Sequence, residues 1–106
     1  MDKKFDNALT ELHRAIVADY TRSHPDFRVV EFAEGIEFEE GRKYVKVTKK
    51  LGEQTMVWGF IMKDDDKKFK RGDILKAASW AAPARNKPRG NIFEEYAVRW
   101  TGPYYL

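Results

Sequence analysis

The spacing of the apolar residues changes at Pro25, and this change limits the fold more than any other feature of the sequence. From Phe5 to Tyr20, apolar side chains recur at three- and four-residue steps, which is the period of one helix face. Because proline disfavours helical backbone at the residue before it, the helix has to end before His24. The spacing predicts one amphipathic helix over residues 4–22.

After Pro25 the apolar residues alternate with polar ones, as in strands that are buried on one face. Thr55–Met62 differs because it is nearly continuously apolar, which is typical of a central strand covered on both faces. A short helix over Leu75–Ala82 is an alternative to a strand at Ile74. We expect an α+β fold, with the helix packed on a mostly antiparallel sheet of about five or six strands, in a single domain over residues 1–106. The other predicted strands cover residues 28–32, 36–39, 43–49, 74–75 and 96–100.

Length and composition exclude several classes of protein. A chain of 106 residues with 14% aromatics is one domain with a modest core. It has no cysteine, so disulfides, thiolate metal sites and cysteine nucleophiles are excluded. No apolar leader follows Met1, and the longest apolar run, Met56–Met62, is too short to span a bilayer. We expect a cytoplasmic protein without a membrane partner.

Sequence motifs of enzymes are absent. There is no glycine-rich phosphate loop, no dinucleotide fingerprint and no serine elbow. Asp64–Asp66 offers three carboxylates, but adjacent side chains diverge and the lysines that follow compete with a cation. Glu37 and Glu39 share one side of a predicted strand, in an acidic run more typical of a solvated edge. We expect no enzymatic activity, no bound metal and no cofactor.

Charge is divided unevenly along the chain. Residues 1–66 carry a net charge of −3 and residues 67–106 a net charge of +6. Glu31–Glu40 holds five glutamates and no base, whereas Ile74–Phe93 holds four basic residues and no acid. Such a division indicates a basic binding face for an anionic partner, or acidic and basic segments that neutralise each other in the fold.

The basic segment at residues 81–91 carries the functional prediction. In an extended chain, its cations at two-residue steps share one side, with asparagine amides and a tryptophan beside them. Cations for phosphates and a ring for a base are the elements of nucleotide or nucleic-acid recognition. The alternative is a basic surface loop whose tryptophan belongs to the core. The predicted ligand-binding residues are Trp80, Arg85, Asn86, Lys87, Arg89 and Asn91.

The second half of the chain resembles a family of small tailed-bacteriophage proteins. The resemblance covers residues 41–106 and rests on Gly72–Trp80, Pro83–Ala84, Arg89–Phe93 and Arg99–Pro103. It implies a phage protein that acts in the host cell by binding host machinery or nucleotides, without turnover, and it carries over no catalytic residues. One form of this role is an anti-defence sponge that sequesters a host nucleotide signal, with a binding pocket formed between copies of the chain.

A different class of function stays open. The acidic segment Glu31–Glu40 would imitate nucleic acid in a protein-interaction module that inhibits a host enzyme. The apolar end, Tyr104–Leu106, either docks on the sheet or forms an interface patch. Trp58 and Trp100 lie in strand-like runs, so we expect both of them in the core.

Overall fold

The computed structural model describes residues 2–103, and these residues form two helices and six strands. The first four strands form one antiparallel sheet in chain order, and the last two form a separate two-stranded ribbon. The helix-on-sheet α+β architecture predicted from the sequence is confirmed. The elements are α1 (Lys3–Ser23), α2 (Val29–Glu34), β1 (Glu37–Glu40), β2 (Tyr44–Leu51), β3 (Gln54–Met62), β4 (Ile74–Leu75), β5 (Val98–Arg99) and β6 (Gly102–Pro103).

Helix α1 follows the predicted amphipathic pattern. The Asp2 side chain caps its first turn by accepting a hydrogen bond of 2.9 Å from the Phe5 N–H. Its last turn closes with a bond from the His24 N–H to the Tyr20 carbonyl, one residue before Pro25. The buried stripe of α1 packs on the sheet and comprises Phe5, Leu9, Leu12, Ile16 and Tyr20.

The strand predicted at residues 28–32 is wrong, because this segment forms helix α2. Arg28 adopts left-handed backbone at a φ of 51° and turns the chain into the helix. Phe32 is the buried residue of α2, and its ring stacks on that of Tyr20 at a centroid distance of 4.0 Å. Contacts of Phe32 with Tyr20 and Trp100 stabilise this helix against the strand preference of the adjacent valines.

Strand β3 lies between β2 and β4, as its continuous apolar sequence predicted. Val47 pairs with Gly59 and Thr48 pairs with Val57, so Trp58 is the extra residue of a β-bulge. Its indole is 2% exposed and donates a hydrogen bond of 2.8 Å to the Arg99 carbonyl. The bulge thereby joins the sheet to the β5–β6 ribbon.

The sheet is covered on both faces. Helix α1 covers one face, and the other buries a smaller cluster formed by Phe60, Met62, Phe69 and Leu75. Two loops, residues 63–73 and 76–91, close over this second face. The candidate functional residues lie on these loops and on the face of β2 beneath them.

The last predicted strand, residues 96–100, is shorter than expected, because β5 covers only Val98–Arg99. It pairs with β6, whose residues follow the predicted end of that strand. Val98 pairs with Pro103, and the Trp100 N–H between the two strands donates a hydrogen bond of 2.8 Å to Asp19 on α1. The Trp100 ring packs against the core and contacts the Tyr20 ring edge-on, with 5.4 Å between the two ring centroids. The predicted docking of Tyr104–Leu106 lies outside the described residues. Neither α1 nor α2 is long and apolar enough to cross a bilayer.

Candidate functional site

The loop between β4 and residue 89 presents Trp80 at its tip. Ala77 pairs with Pro83, and the Ala84 N–H bonds to the Lys76 carbonyl at 2.7 Å, so the two arms of the loop run side by side. This pairing excludes the alternative helix over residues 75–82. The Trp80 side chain is 54% exposed, so the alternative in which this tryptophan belongs to the core is also wrong.

Lys46 of β2 lies against the Trp80 ring. Its ammonium is 4.3 Å from the ring centroid, within the range of a cation–π contact. Lys46 pairs across the sheet with Phe60, whose ring contacts Tyr44 edge-on at 5.8 Å. Tyr44, Lys46 and Phe60 thus lie on the second face of the sheet, beneath the loop that carries Trp80.

Arg85 is anchored on the same face. Its guanidinium donates hydrogen bonds of 2.6 Å both to the Tyr44 hydroxyl and to the Asp66 carboxylate. The guanidinium carbon lies 4.7 Å from the centroid of the Phe69 ring, and the Lys68 ammonium donates to the Arg85 carbonyl. The segment 74–93 contains no acid of its own, but in the fold Asp66 reaches Arg85 from a loop distant in sequence, so this cation is paired.

Asp66 is held ionised by several donors. The backbone N–H of Phe69 makes the largest contribution to lowering the pKa of its carboxyl, followed by Arg85 and the N–H of Lys68. Asp66 in turn raises the pKa of the Arg85 guanidinium. Lys43 approaches the same carboxylate at 3.4 Å. We call the surface formed by Lys43, Tyr44, Lys46, Lys68, Trp80 and Arg85 the basic–aromatic face.

Arg89 and Asn91 do not belong to this face, although the sequence predicted both as ligand-binding residues. They are 6% and 5% exposed, because residues 89–92 pair with the backbone of residues 72–74. The Arg89 N–H bonds to the Ile74 carbonyl at 2.7 Å, and the Ile74 N–H bonds to the Gly90 carbonyl at 2.9 Å. The prediction that Arg85, Lys87 and Arg89 share one exposed side is therefore wrong.

Asn91 has a structural role in the fold. Its amide donates to the Arg71 carbonyl at 2.9 Å and to the Asp73 carboxylate at 3.0 Å, and its oxygen accepts from the Phe93 N–H at 2.8 Å. Gly72 lies beside it at a φ of 88°, where an added Cβ would come within 2.6 Å of the Phe93 ring. Asn91 therefore holds together two chain segments that are distant in sequence.

Asn86 and Lys87 remain on the surface. The Asn86 side-chain oxygen accepts a hydrogen bond of 2.9 Å from the Lys87 N–H, and the Arg89 guanidinium lies 3.5 Å from the same oxygen. Both Asn86 and Lys87 are exposed. Their part in binding a ligand stays a prediction.

Sequence reasoning missed Lys43, Lys46 and Lys68 as members of the site. The signal for Lys46 was present, since alternation in β2 places it with Tyr44 on the face opposite Val45 and Val47. The missing information was that the loop carrying Trp80 returns to that face. Within residues 2–103, no group of three or more histidine or acidic side chains is placed to hold a metal ion.

One family model, described as a family of unknown function (DUF7717), matches residues 2–104 of the chain. No curated protein and no solved structure matches it. The comparisons therefore connect almost the whole chain to one family without assigning it an activity.

Proposed function

The chain belongs to this family of unknown function, and we propose that it is a small non-enzymatic bacteriophage protein that binds a phosphate-bearing ligand, nucleic acid or a nucleotide, through its basic–aromatic face. The observation that carries the proposal is the exposed Trp80 indole, with the Lys46 ammonium 4.3 Å from its centroid. An exposed indole offers a stacking surface to a base, and neighbouring cations attract the phosphates attached to that base.

The charge of the face supports an anionic ligand. Lys43, Lys46, Lys68 and Arg85 contribute four cations. Among the described residues, Asp66 pairs with Lys43 and Arg85, and Glu39 is the cross-strand partner of Lys46, so these six groups carry a net charge of +2. Asp66 pairs with the Arg85 guanidinium and with Lys43, and the Lys43 and Lys68 side chains are exposed at the surface. Lysine ammonium groups at a surface neutralise phosphates at little cost in desolvation.

The resemblance of residues 41–106 to tailed-bacteriophage proteins supports the proposed phage origin, action in the host cytoplasm and lack of turnover. A sponge for a host nucleotide signal is the anti-defence form of this proposal. It requires tight binding of a small nucleotide and weak binding of longer strands, whereas a nucleic-acid-binding protein shows the reverse order. Calorimetry with a nucleotide panel and an oligonucleotide separates the two forms.

Replacing Trp80 with alanine is expected to weaken binding of a labelled mixed-sequence 12-mer about tenfold, because stacking of one base on an aromatic ring contributes roughly 1–3 kcal/mol. Fluorescence anisotropy measures the dissociation constant. Phe27→Ala is the matched control, since Phe27 is 56% exposed against 54% for Trp80 and lies in the turn before α2. We expect this control to bind like the wild type.

Unchanged binding by the Trp80→Ala variant would contradict the proposal, as would the absence of binding to every nucleotide and oligonucleotide tested. Affinity should also fall as salt rises, with a log–log slope of about −2 for three phosphate contacts on a single strand. A flat salt response would remove the lysines from the site.

A protein-interaction module is the second candidate, because α2 and the turn before it expose two large apolar side chains. Phe27 and Val30 are 56% and 68% exposed, next to the exposed acids Glu31 and Glu34. Asp26 and Arg28 on either side of Phe27 have left-handed backbone, at φ values of 64° and 51°. Backbone of this kind often accompanies functional surfaces.

For this second candidate, we expect one stoichiometric host protein to be retained on the immobilised chain from a nuclease-treated lysate. Exchanging Phe27 and Val30 for serine should release that protein, and Trp80→Ala should not. Sedimentation velocity on the purified chain tests whether the same surface joins two copies of it. Retention that survives the double exchange would exclude α2 as the contact.

A further inference from the structure

The Trp80 indole has one face that is already occupied. The Lys46 ammonium lies over the ring, and the side chain nevertheless keeps 54% of its surface exposed. The residues around it in the loop are Ala78, Ser79, Ala81 and Ala82, all of them small and exposed. The adjacent loop residues therefore place no bulky side chain beside the ring, and the side of the ring opposite Lys46 is the one that a flat group can approach.

Lys46 contributes to this geometry in two ways. Its contact with the ring favours the observed orientation of the indole, which reduces the entropy lost when a base stacks on it. Its ammonium, 4.3 Å from the ring centroid, also adds positive charge next to the position where a base would stack, and this charge attracts the phosphate of that nucleotide. Stacking and phosphate attraction therefore act on the same nucleotide.

Arg85 acts as a positioning residue in this arrangement. Its two terminal nitrogens donate to Tyr44 and to Asp66, so the planar fork that would grip a phosphate is already engaged. The phosphates are left to Lys46 and Lys68, whose ammonium groups attract charge without reading base edges. These contacts favour binding that depends little on sequence.

From these contacts we infer that the ligand is single-stranded nucleic acid, with one base stacked on the outward face of Trp80 and its neighbouring phosphates on Lys46 and Lys68. The inference rests on the proposed function and narrows it. A base inside a duplex has both faces stacked on its neighbours, so it cannot reach the indole without being extruded at a cost of a few kcal/mol. A single strand offers free base faces together with a continuous row of phosphates.

The test compares three labelled ligands of matched phosphate number: a single-stranded 10-mer, a dumbbell of five base pairs closed at both ends by non-nucleotide linkers, and a 10-mer without bases. We expect the wild type to bind the single strand about tenfold more tightly than either of the others, with quenching of tryptophan fluorescence. Trp80→Ala should lose this preference and the quenching contributed by Trp80. Trp80→Phe, which retains a ring, should keep most of the preference.

Two results would overturn the inference and leave the proposed function standing. One is equal affinity of the wild type for the single strand and the dumbbell, with salt-dependent binding lost in a Lys46→Ala, Lys68→Ala double variant. The other is a mononucleotide that binds as tightly as the 10-mer. Absence of binding to every one of these ligands would overturn both this inference and the proposed function. Circular dichroism of each variant confirms that it is folded, and Phe27→Ala serves again as the matched control.

Discussion

Replacing Asn91 with alanine is expected to lower the free energy of unfolding by about 3 kcal/mol, whereas the same replacement at Asn86 should change it by less than about 0.5 kcal/mol. The two asparagines lie five positions apart in the segment that the sequence assigned to ligand binding. Asn91 is 5% exposed and makes three hydrogen bonds, one of them to the Asp73 carboxylate. Asn86 is exposed.

The cost at Asn91 arises because its partners stay buried after the amide is removed. Asp73 is only 4% exposed. Its carboxylate would lose the hydrogen bond from the Asn91 amide, and solvent has little access to supply another donor. Urea denaturation followed by circular dichroism measures the difference, with Asn86→Ala as the matched control. An Asn91→Ala variant of wild-type stability that binds the oligonucleotide weakly would restore Asn91 as a ligand-binding residue.

The stability of the fold is expected to increase by about 2 kcal/mol as the pH rises from 7 to 9.5, because of Lys49. This lysine is 5% exposed, and its ammonium donates hydrogen bonds of 3.0 Å to the Trp100 and Thr101 carbonyls. Burial lowers the pKa of Lys49 from its ordinary 10.5 to about 8. Between these two values the unfolded chain holds a proton that the folded chain has released.

Stability therefore rises with pH across this window, and the full penalty for the buried charge is present below about pH 8. Urea denaturation at a series of pH values measures it, kept below pH 9.5 because burial also raises the pKa of Tyr96 from 10.0. Lys49→Met should abolish most of the rise. Lys50→Met, at the exposed next position of β2, should retain it. Equal slopes for wild type and Lys49→Met would contradict the prediction.

Local patterns were sufficient for much of the fold. The period of α1, the alternation in β2 and the continuous apolar run of β3 are each visible within one element, because they show which of its side chains are buried. The prediction failed at Val29–Glu34, where a six-residue segment rich in strand formers is helical. Its Phe32 side chain packs against Tyr20 and Trp100, and no local pattern reports these contacts between separate segments.

The candidate site was predicted less well, because charge was judged along the chain. Segment 74–93 contains no acid, but Asp66 pairs with its Arg85 in the fold. Arg89 and Asn91 are buried there, because their segment pairs with the backbone beside β4. Trp80 is exposed as the binding prediction required, but its cation is Lys46 of β2. An electrostatic field depends on distance in space, and a loop that folds back changes every such distance.

The amino-acid sequence by itself determined that a long amphipathic helix covers a mostly antiparallel sheet, since burying an apolar stripe of fixed period leaves few other arrangements. It also determined that the excess of basic over acidic residues lies in residues 67–106. Only the tertiary structure decided which of those cations face outward, which one Asp66 fixes, and that an indole rests on Lys46. Periodicity acts between near neighbours, whereas these choices depend on residues brought together from separate segments.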